Sequence, residues 1–291
     1  MKSFTIFLLG ALLSACAHAQ STGIFRGSDL QKVELREALR DVAPGSIVII
    51  GENHGFKVHQ QQQLDIMATL RSLGHKISVG MEFFTYTDQP HVNNYLSGQV
   101  SEESFLKAIS WGGLSFDFYR DQTLFPDLRE GSQTLALNAP RSITGKVAKG
   151  GMDSLSAEDR RLLPPQFTLG RDSYKERFLK MMPHIPSPEA GLRYFTAQSI
   201  WDDTMAWQAS EFISRHPEQT LVIVVGEFHV QYGGGLPDRL RARSTAPLLT
   251  VSQVNTHGLS EAEVAKEVQV SEEEGPRADL LWLAPAESPG Q

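Results

Sequence analysis

The 291-residue chain has a single cysteine, Cys16, so no disulfide can form within it and its fold must rest on a hydrophobic core. Positive charge is also scarce. The formal net charge of −7 argues against nucleic acid as a partner, since phosphate binding needs a basic surface. Beyond the N-terminus, no apolar run approaches the roughly 20 residues that a membrane-spanning helix needs. The sequence has no internal repeat and no long low-complexity run, and only the Pro/Ser/Gly-rich tail 286–291 is expected to fray. What remains is ordinary for a globular protein: 41% hydrophobic residues are enough to supply the core that the fold requires.

Met1-Lys2-Ser3 places one positive charge ahead of a short apolar run, Phe4 to Leu13. A charged start, a short apolar segment and small residues after it read as a secretory signal. Two cleavage sites compete. Leu13-Ser14-Ala15-Cys16 resembles the bacterial lipobox, in which the cysteine is lipidated and becomes the first mature residue, while Ala17-His18-Ala19 fits ordinary cleavage before Gln20. The lone cysteine occupies the one place where a lipobox needs it, which favours lipidation of Cys16. The expected product is exported and lipid-anchored to the bacterial cell envelope, on the periplasmic side of the outer membrane. Removing the signal 1–15 leaves roughly 270 residues, enough for one large or two small domains.

Along the mature chain, β-branched runs alternate with helix-like segments. Strands are expected at Ser46–Ile50, Ile77–Met81, Thr134–Asn138, Thr220–Val225, Leu248–Val254 and Asp279–Ala284. Two of them contain runs, Ile47–Ile50 and Leu221–Val225, that are continuously apolar rather than alternating, which suits parallel strands buried on both faces. Helices are expected at Asp29–Val42, at His59–Leu73 with Gly74 as its C-cap, and at Pro188–His216 before Pro217. The stretches Asp88–Gly131 and Ser142–His216 read as largely helical and irregular, with Ser156 and Asp159 marking a helix start. The fold class is therefore α/β, a mostly parallel sheet covered by helices with a helical excursion in mid-chain. An N-terminal segment, 16–45, precedes one domain at 46–285.

Polar clusters sit at the expected strand ends. Gly51-Glu52-Asn53-His54 follows the first strand, Glu82 ends the second, Asn138-Ala139-Pro140-Arg141 ends the third, and Gly226-Glu227-Phe228-His229 follows the fourth. Ligands of open parallel sheets bind at the carboxyl ends of the strands, so these clusters should converge on one crevice. There His54 and His229 could hold a divalent metal, with Glu52, Glu82 or Glu227 as carboxylate ligands or base. Asn138 and Arg141 suit an anionic or carbonyl group. His59 either faces the crevice or solvates its helix.

Blander readings hold for much else. One Gly-x-x-His tetrapeptide means little, but Gly-Glu-x-His occurring twice, each time after an apolar strand, points to a site. His75, His91, His216 and His257 read as solvated, and His184 between prolines stays undecided. The Gln60–Gln63 run reads as an exposed helical face, and Trp201, Met205 and Trp207 as packing rather than a cofactor pocket, with Met205 also able to touch a flat apolar ligand.

Taken in order, these motifs resemble the ChaN-like haem-binding uptake lipoproteins of the Tiki superfamily. The resemblance runs from Gly51-Glu52-Asn53-His54 with His59, through Met81-Glu82-Phe83-Phe84 and Asn138-Ala139-Pro140-Arg141. It continues through the stretch Phe195 to Ala206 and ends in the stretch from Gly226-Glu227-Phe228-His229 through Tyr232 to Leu240. It implies haem binding, a role in iron acquisition, and kinship with the Tiki metalloproteases and erythromycin-esterase-like enzymes. A tyrosine is the haem-iron ligand in the characterised type of site. The stretch Gly55-Phe56-Lys57-Val58 between the two histidines contains none, which leaves Tyr119, Tyr194 and Tyr232 as candidates.

Two functions follow. In the first, haem is held by an axial Tyr or His, with Phe56, Phe83, Phe84 and Phe228 against the porphyrin and Lys57 or Arg141 on its propionates. Residues assigned to the cofactor are His54, His59, Tyr232, His229, Arg141 and Asn138. In the second, His54, His229, Glu52 and Glu82 hold a divalent metal for a hydrolase whose general base is Glu52 or Glu82. A homodimer and contact with haem-uptake machinery are further expectations.

Overall fold

The structure, a computed structural model, describes residues 22–287. Cys16, the signal segment and residues 288–291 lie outside them. Strands β1 (Gly23–Arg26), β2 (Ile47–Glu52), β3 (Lys76–Thr85), β4 (Thr134–Asn138), β5 (Gln219–Gly226), β6 (Leu248–Asn255) and β7 (Leu280–Ala284) form one sheet. Their order is β1-β7-β6-β2-β5-β3-β4. Every neighbouring pair is parallel except β1 with β7.

The apolar runs of β2 and β5 behave as strands covered on both faces. Every residue of both is buried, and alternate side chains serve opposite layers. Val48, Ile50, Val222 and Val224 pack with Ile66, Met67 and Leu70 of the helix Lys57–Ser72. Ile47, Ile49, Leu221, Ile223 and Val225 pack with Met205, Ala209, Phe212 and Ile213 of the helix Pro188–Arg215. Each such aliphatic side chain contributes about 1.5–3 kcal/mol relative to exposure, so these two layers carry much of the fold's stability.

Local signals set the helix ends. The helix Pro188–Arg215 begins where the Ser187 side chain accepts from the Ala190 N–H and proline fills the first turn. Gly74, at φ +96°, ends the connection after Lys57–Ser72 in a conformation that costs glycine little. The capping box expected at Ser156 and Asp159 is present. The mid-chain excursion takes the form of short helices such as Gln89–Leu96, Glu102–Ala108, Arg141–Gly150 and Asp172–Met181.

Two expectations change. The helix expected over Asp29–Val42 shrinks to Leu35–Leu39, because Leu30 adopts a positive φ and Lys32 bridges Phe25 before the helix can begin. Strand β1 was not anticipated: four residues beside a turn are too short for a pattern, and they are held by pairing with β7.

The topology opens a crevice. From β2 the chain crosses to β3 and leaves a gap that β5 later fills between them. The helices between β2 and β4 pack on one face, and Pro188–Arg215 and Leu236–Arg243, on either side of β5, pack on the other, so the carboxyl ends of β2 and β5 meet where the direction changes.

Candidate functional site

Strand periodicity decides which way each acidic side chain turns at this edge. Glu52 continues the phase of Val48 and Ile50 and so turns towards the helix Lys57–Ser72. There it is fully buried and accepts hydrogen bonds from the Tyr119 hydroxyl (2.7 Å) and the Gln63 amide (2.6 Å). Glu82 is out of phase with core-facing Met81 and turns to the other layer. It accepts from the Gly226 N–H (2.6 Å) and lies 3.4 Å from Nε2 of His229.

The two Gly-Glu-x-His motifs lie on adjacent parallel strands, but their register is offset by one residue. Glu52 pairs with Gly226, not with Glu227. The motifs therefore do different work. In the first, Nδ1 of His54 stands 2.9 Å from Glu52, and the imidazole remains 41% exposed. In the second, His229 is buried with its Nδ1 2.6 Å from Asp202. Glu227 turns away into a buried ion pair with Arg277 and a hydrogen bond from Ser252. Gly226 separates the two halves. A methyl group there would lie 3.0 Å from Cε1 of His54 and 3.5 Å from Glu82, close enough to press the His54 ring away from β5 by a few tenths of an ångström.

Electrostatics distinguish the two imidazoles. Burial alone would push His229 down, but the charges and hydrogen bonds of Asp202 and Glu82 overcome it and hold the ring up at about 10. It is an imidazolium at neutral pH. Burial would raise Glu82, yet the charge and hydrogen bond of His229, helped by His54 and the Gly226 N–H, bring it down to about 2. Asp202 stays above the usual carboxylate range, because burial outweighs His229 and the hydrogen bond from Tyr174 (2.9 Å). For His54, burial is outweighed by its hydrogen bond to Glu52 and the charges of Glu82 and Glu52, and the net shift is upward. Burial, together with the charge and hydrogen bond of Glu52, keeps the Tyr119 phenol protonated.

A cavity of about 530 Å³ opens above these groups. His54 and Glu82 form part of its wall, with Phe83, Trp111, Leu114 and Trp201 supplying apolar surface and Asn138 and Arg141 polar groups. The expected convergence of strand ends is thus present for His54, Glu82, Asn138 and Arg141, with His229 behind Glu82. His59 is not among the lining residues. It is fully buried, its Nδ1 accepts from the Asn53 N–H (3.1 Å), and burial brings it down to about 4. Tyr232 also sits apart, at φ +56°, with Arg177 over its ring. Of the expected apolar contacts, Phe83 lines the cavity; Phe84 belongs to the core and Phe228 stacks on Tyr174.

Of the residues expected to hold a metal, Glu52 lies against His54 and Glu82 against His229. Among the described residues, no three His, Cys, Asp or Glu side chains are grouped to hold a metal ion. The cause is visible in the bonding. Both ring nitrogens of His229 face carboxylates, and Glu52 is enclosed by Tyr119 and Gln63. The Gln60–Gln63 run is not an exposed face either: Gln62 and Gln63 are buried, and Gln63 also accepts from Gln122.

Sequence reasoning did not single out Asp202, Tyr174 or Gln198, whose amide donates to the Tyr174 hydroxyl (3.1 Å). One signal was available. Asp202 and Asp203 interrupt the apolar stripe of a long helix, and both are buried, Asp203 against Arg243.

The family described as haem-binding uptake, Tiki superfamily, ChaN matches residues 38–240. Among solved structures, the chain is similar to ChaN of Campylobacter jejuni, described with cofacial heme binding. The identity is 14% and the TM-score 0.63, over 92% of this chain and 97% of that one. It is also similar to the type III effector HopBA1 (14%, TM-score 0.47, 94% and 100% coverage) and to an erythromycin esterase mutant in its open conformation (12%, 0.43, 80% and 77%). At these identities the likenesses concern the fold alone. No curated protein matches the chain.

Proposed function

The chain belongs to the haem-binding uptake, ChaN family of the Tiki superfamily, and from that premise we propose that it is an exported lipoprotein that binds haem in the cavity at the carboxyl edge of its sheet, serving haem or iron acquisition. One observation carries the reading: His54 stands in the cavity wall with its Nδ1 on the buried carboxylate of Glu52. A carboxylate on one ring nitrogen fixes the tautomer and leaves Nε2 as the donor, which is how proteins orient histidine ligands. Nε2 of His54 makes no hydrogen bond among the described residues. None of Tyr119, Tyr194 and Tyr232 lines the cavity, so His54 replaces the family's tyrosine as iron ligand in this reading.

The remaining residues fit the group. Phe83, Trp111 and Trp201 offer faces for a flat macrocycle, Arg141 suits a propionate, and the volume lies in the usual range for cofactor sites. Bound haem would supply the iron; the protein supplies an oriented donor, apolar walls and exclusion of water. Lipid on Cys16 anchors the domain. No helix among the described residues is long and apolar enough to cross a membrane, so attachment in this reading rests on the acyl chains.

Titration with haemin tests the proposal. A saturating Soret band, kept in Glu52→Gln because a glutamine can still accept from Nδ1–H, is the expected result. Binding no stronger than to an unrelated acidic protein would refute it. A hydrolytic reading has one observation in its favour. A histidine oriented by a buried carboxylate beside a cavity is also the arrangement of a general base. Ester turnover by the wild type that is lost in His54→Ala, without haemin binding, would put that reading first.

A further inference from the structure

The one antiparallel pairing in the sheet fixes where the anchored end of the chain leaves the domain. Gly23 is opposite Leu283 and Arg26 opposite Leu280. Because β7 runs parallel to β6, and β6 to β2, the start of β1 lies at the carboxyl edge, the edge that carries His54 and the cavity. Three strand spacings separate β1 from β2, about 14 Å. The chain enters the fold beside the site and not behind it.

We infer that the cavity-bearing edge of the domain faces the lipid surface that holds the anchor, so that the cavity exchanges its amphipathic ligand with that membrane. The inference rests on the lipid anchor at Cys16 proposed above, and it adds an orientation that the anchor alone does not give. From Cys16 to Gly23 the chain reaches at most about 25 Å even when fully extended. That tether holds the carboxyl edge close to the lipid headgroups. The opposite edge lies one strand length behind, about 26 Å for the eight residues of β5.

The surface at this edge agrees. Lys57 and Arg141 are exposed and make no side-chain hydrogen bond or ion pair among the described residues, which leaves both cations available to phosphate headgroups. Leu259, in the loop after β6, is 38% exposed at the same edge. The net charge of −7 gives the whole molecule no attraction to an anionic bilayer, so the tether and these local groups set the orientation.

The test places a donor fluorophore on one introduced cysteine in the full-length, detergent-extracted protein. His257→Cys reports the cavity edge and Glu218→Cys the opposite edge; both positions are exposed, and Leu259→Cys replaces the first if it fails to fold. Each protein is reconstituted into phosphatidylethanolamine–phosphatidylglycerol vesicles carrying an acceptor-labelled lipid, and its intact mass is measured. The expected result is acyl chains on Cys16 and a much larger loss of donor emission at 257 than at 218. Acylated protein with equal loss at both positions, or greater loss at 218, overturns the orientation and leaves the anchor standing. A mass without acyl chains overturns the anchor, and the orientation falls with it.

Discussion

His54 and His229 occupy the same position in two copies of one tetrapeptide and end in different surroundings. His54 has one carboxylate on one nitrogen and an exposed edge, so it can donate an electron pair to a ligand. His229 has a carboxylate on each side and is a buried cation. The second state has a signature in pH. A folded-state value of about 10, against an ordinary 6.5, contributes stability that is fully present below pH 6.5 and is lost as pH rises through 10. Glu82, held at about 2 against an ordinary 4.5, contributes stability present above pH 4.5 and lost as pH falls towards 2. His229→Gln should therefore flatten the fall in melting temperature between pH 6.5 and 10. It should also cost about 3–5 kcal/mol near neutrality, because Asp202 and Glu82 are left buried without their cation. An unchanged alkaline limb in thermal melts of the variant would mean that His229 is neutral in the native protein.

At the scale of elements, β2 and β5 were legible because a continuous apolar run has few other uses in a chain of this size. The helix Pro188–Arg215 was legible from its spacing and its flanking prolines. Register was not legible. Nothing local reveals that Glu52 pairs with Gly226, yet this offset leaves Glu52 with Tyr119, Gln63 and His54 and sends Glu227 to Arg277. Nor could the sequence reveal that Gln63 points inward, since its burial depends on Glu52 across a loop and on Gln122 and Gln253, both distant in the chain. The offset makes Gly226 a sensitive position. Its backbone, at φ −60° and ψ 141°, suits alanine, so Gly226→Ala adds only a methyl group beneath the His54 ring. The variant should fold, at a cost of about 1–3 kcal/mol for the extra contact. Its haemin should bind more weakly because the ring is displaced from Glu52. Haemin affinity equal to the wild type would show that the ring's seat on β5 does not matter.

In the proposed reading, the haem site and the lipid attachment share one end of the molecule. Strand ends converge there, the helices around the cavity roof it, and the N-terminal strand enters beside it. The antiparallel β1 was not legible in the sequence, because four residues beside a turn are too short for a pattern. Attachment has a direct check. Cys16→Ser should move the protein from the detergent phase to the aqueous phase, or leave it unprocessed, and unchanged partitioning would remove the lipid anchor. The central claim is that haem iron is held by His54 in this cavity. Its most direct test is the Soret spectrum of the haemin complex in the wild type, His54→Ala and Tyr232→Phe. The expected result is a saturating band that is unaltered in Tyr232→Phe and shifted or lost in His54→Ala. A band that survives His54→Ala unchanged, and is lost in Tyr232→Phe, would contradict the account.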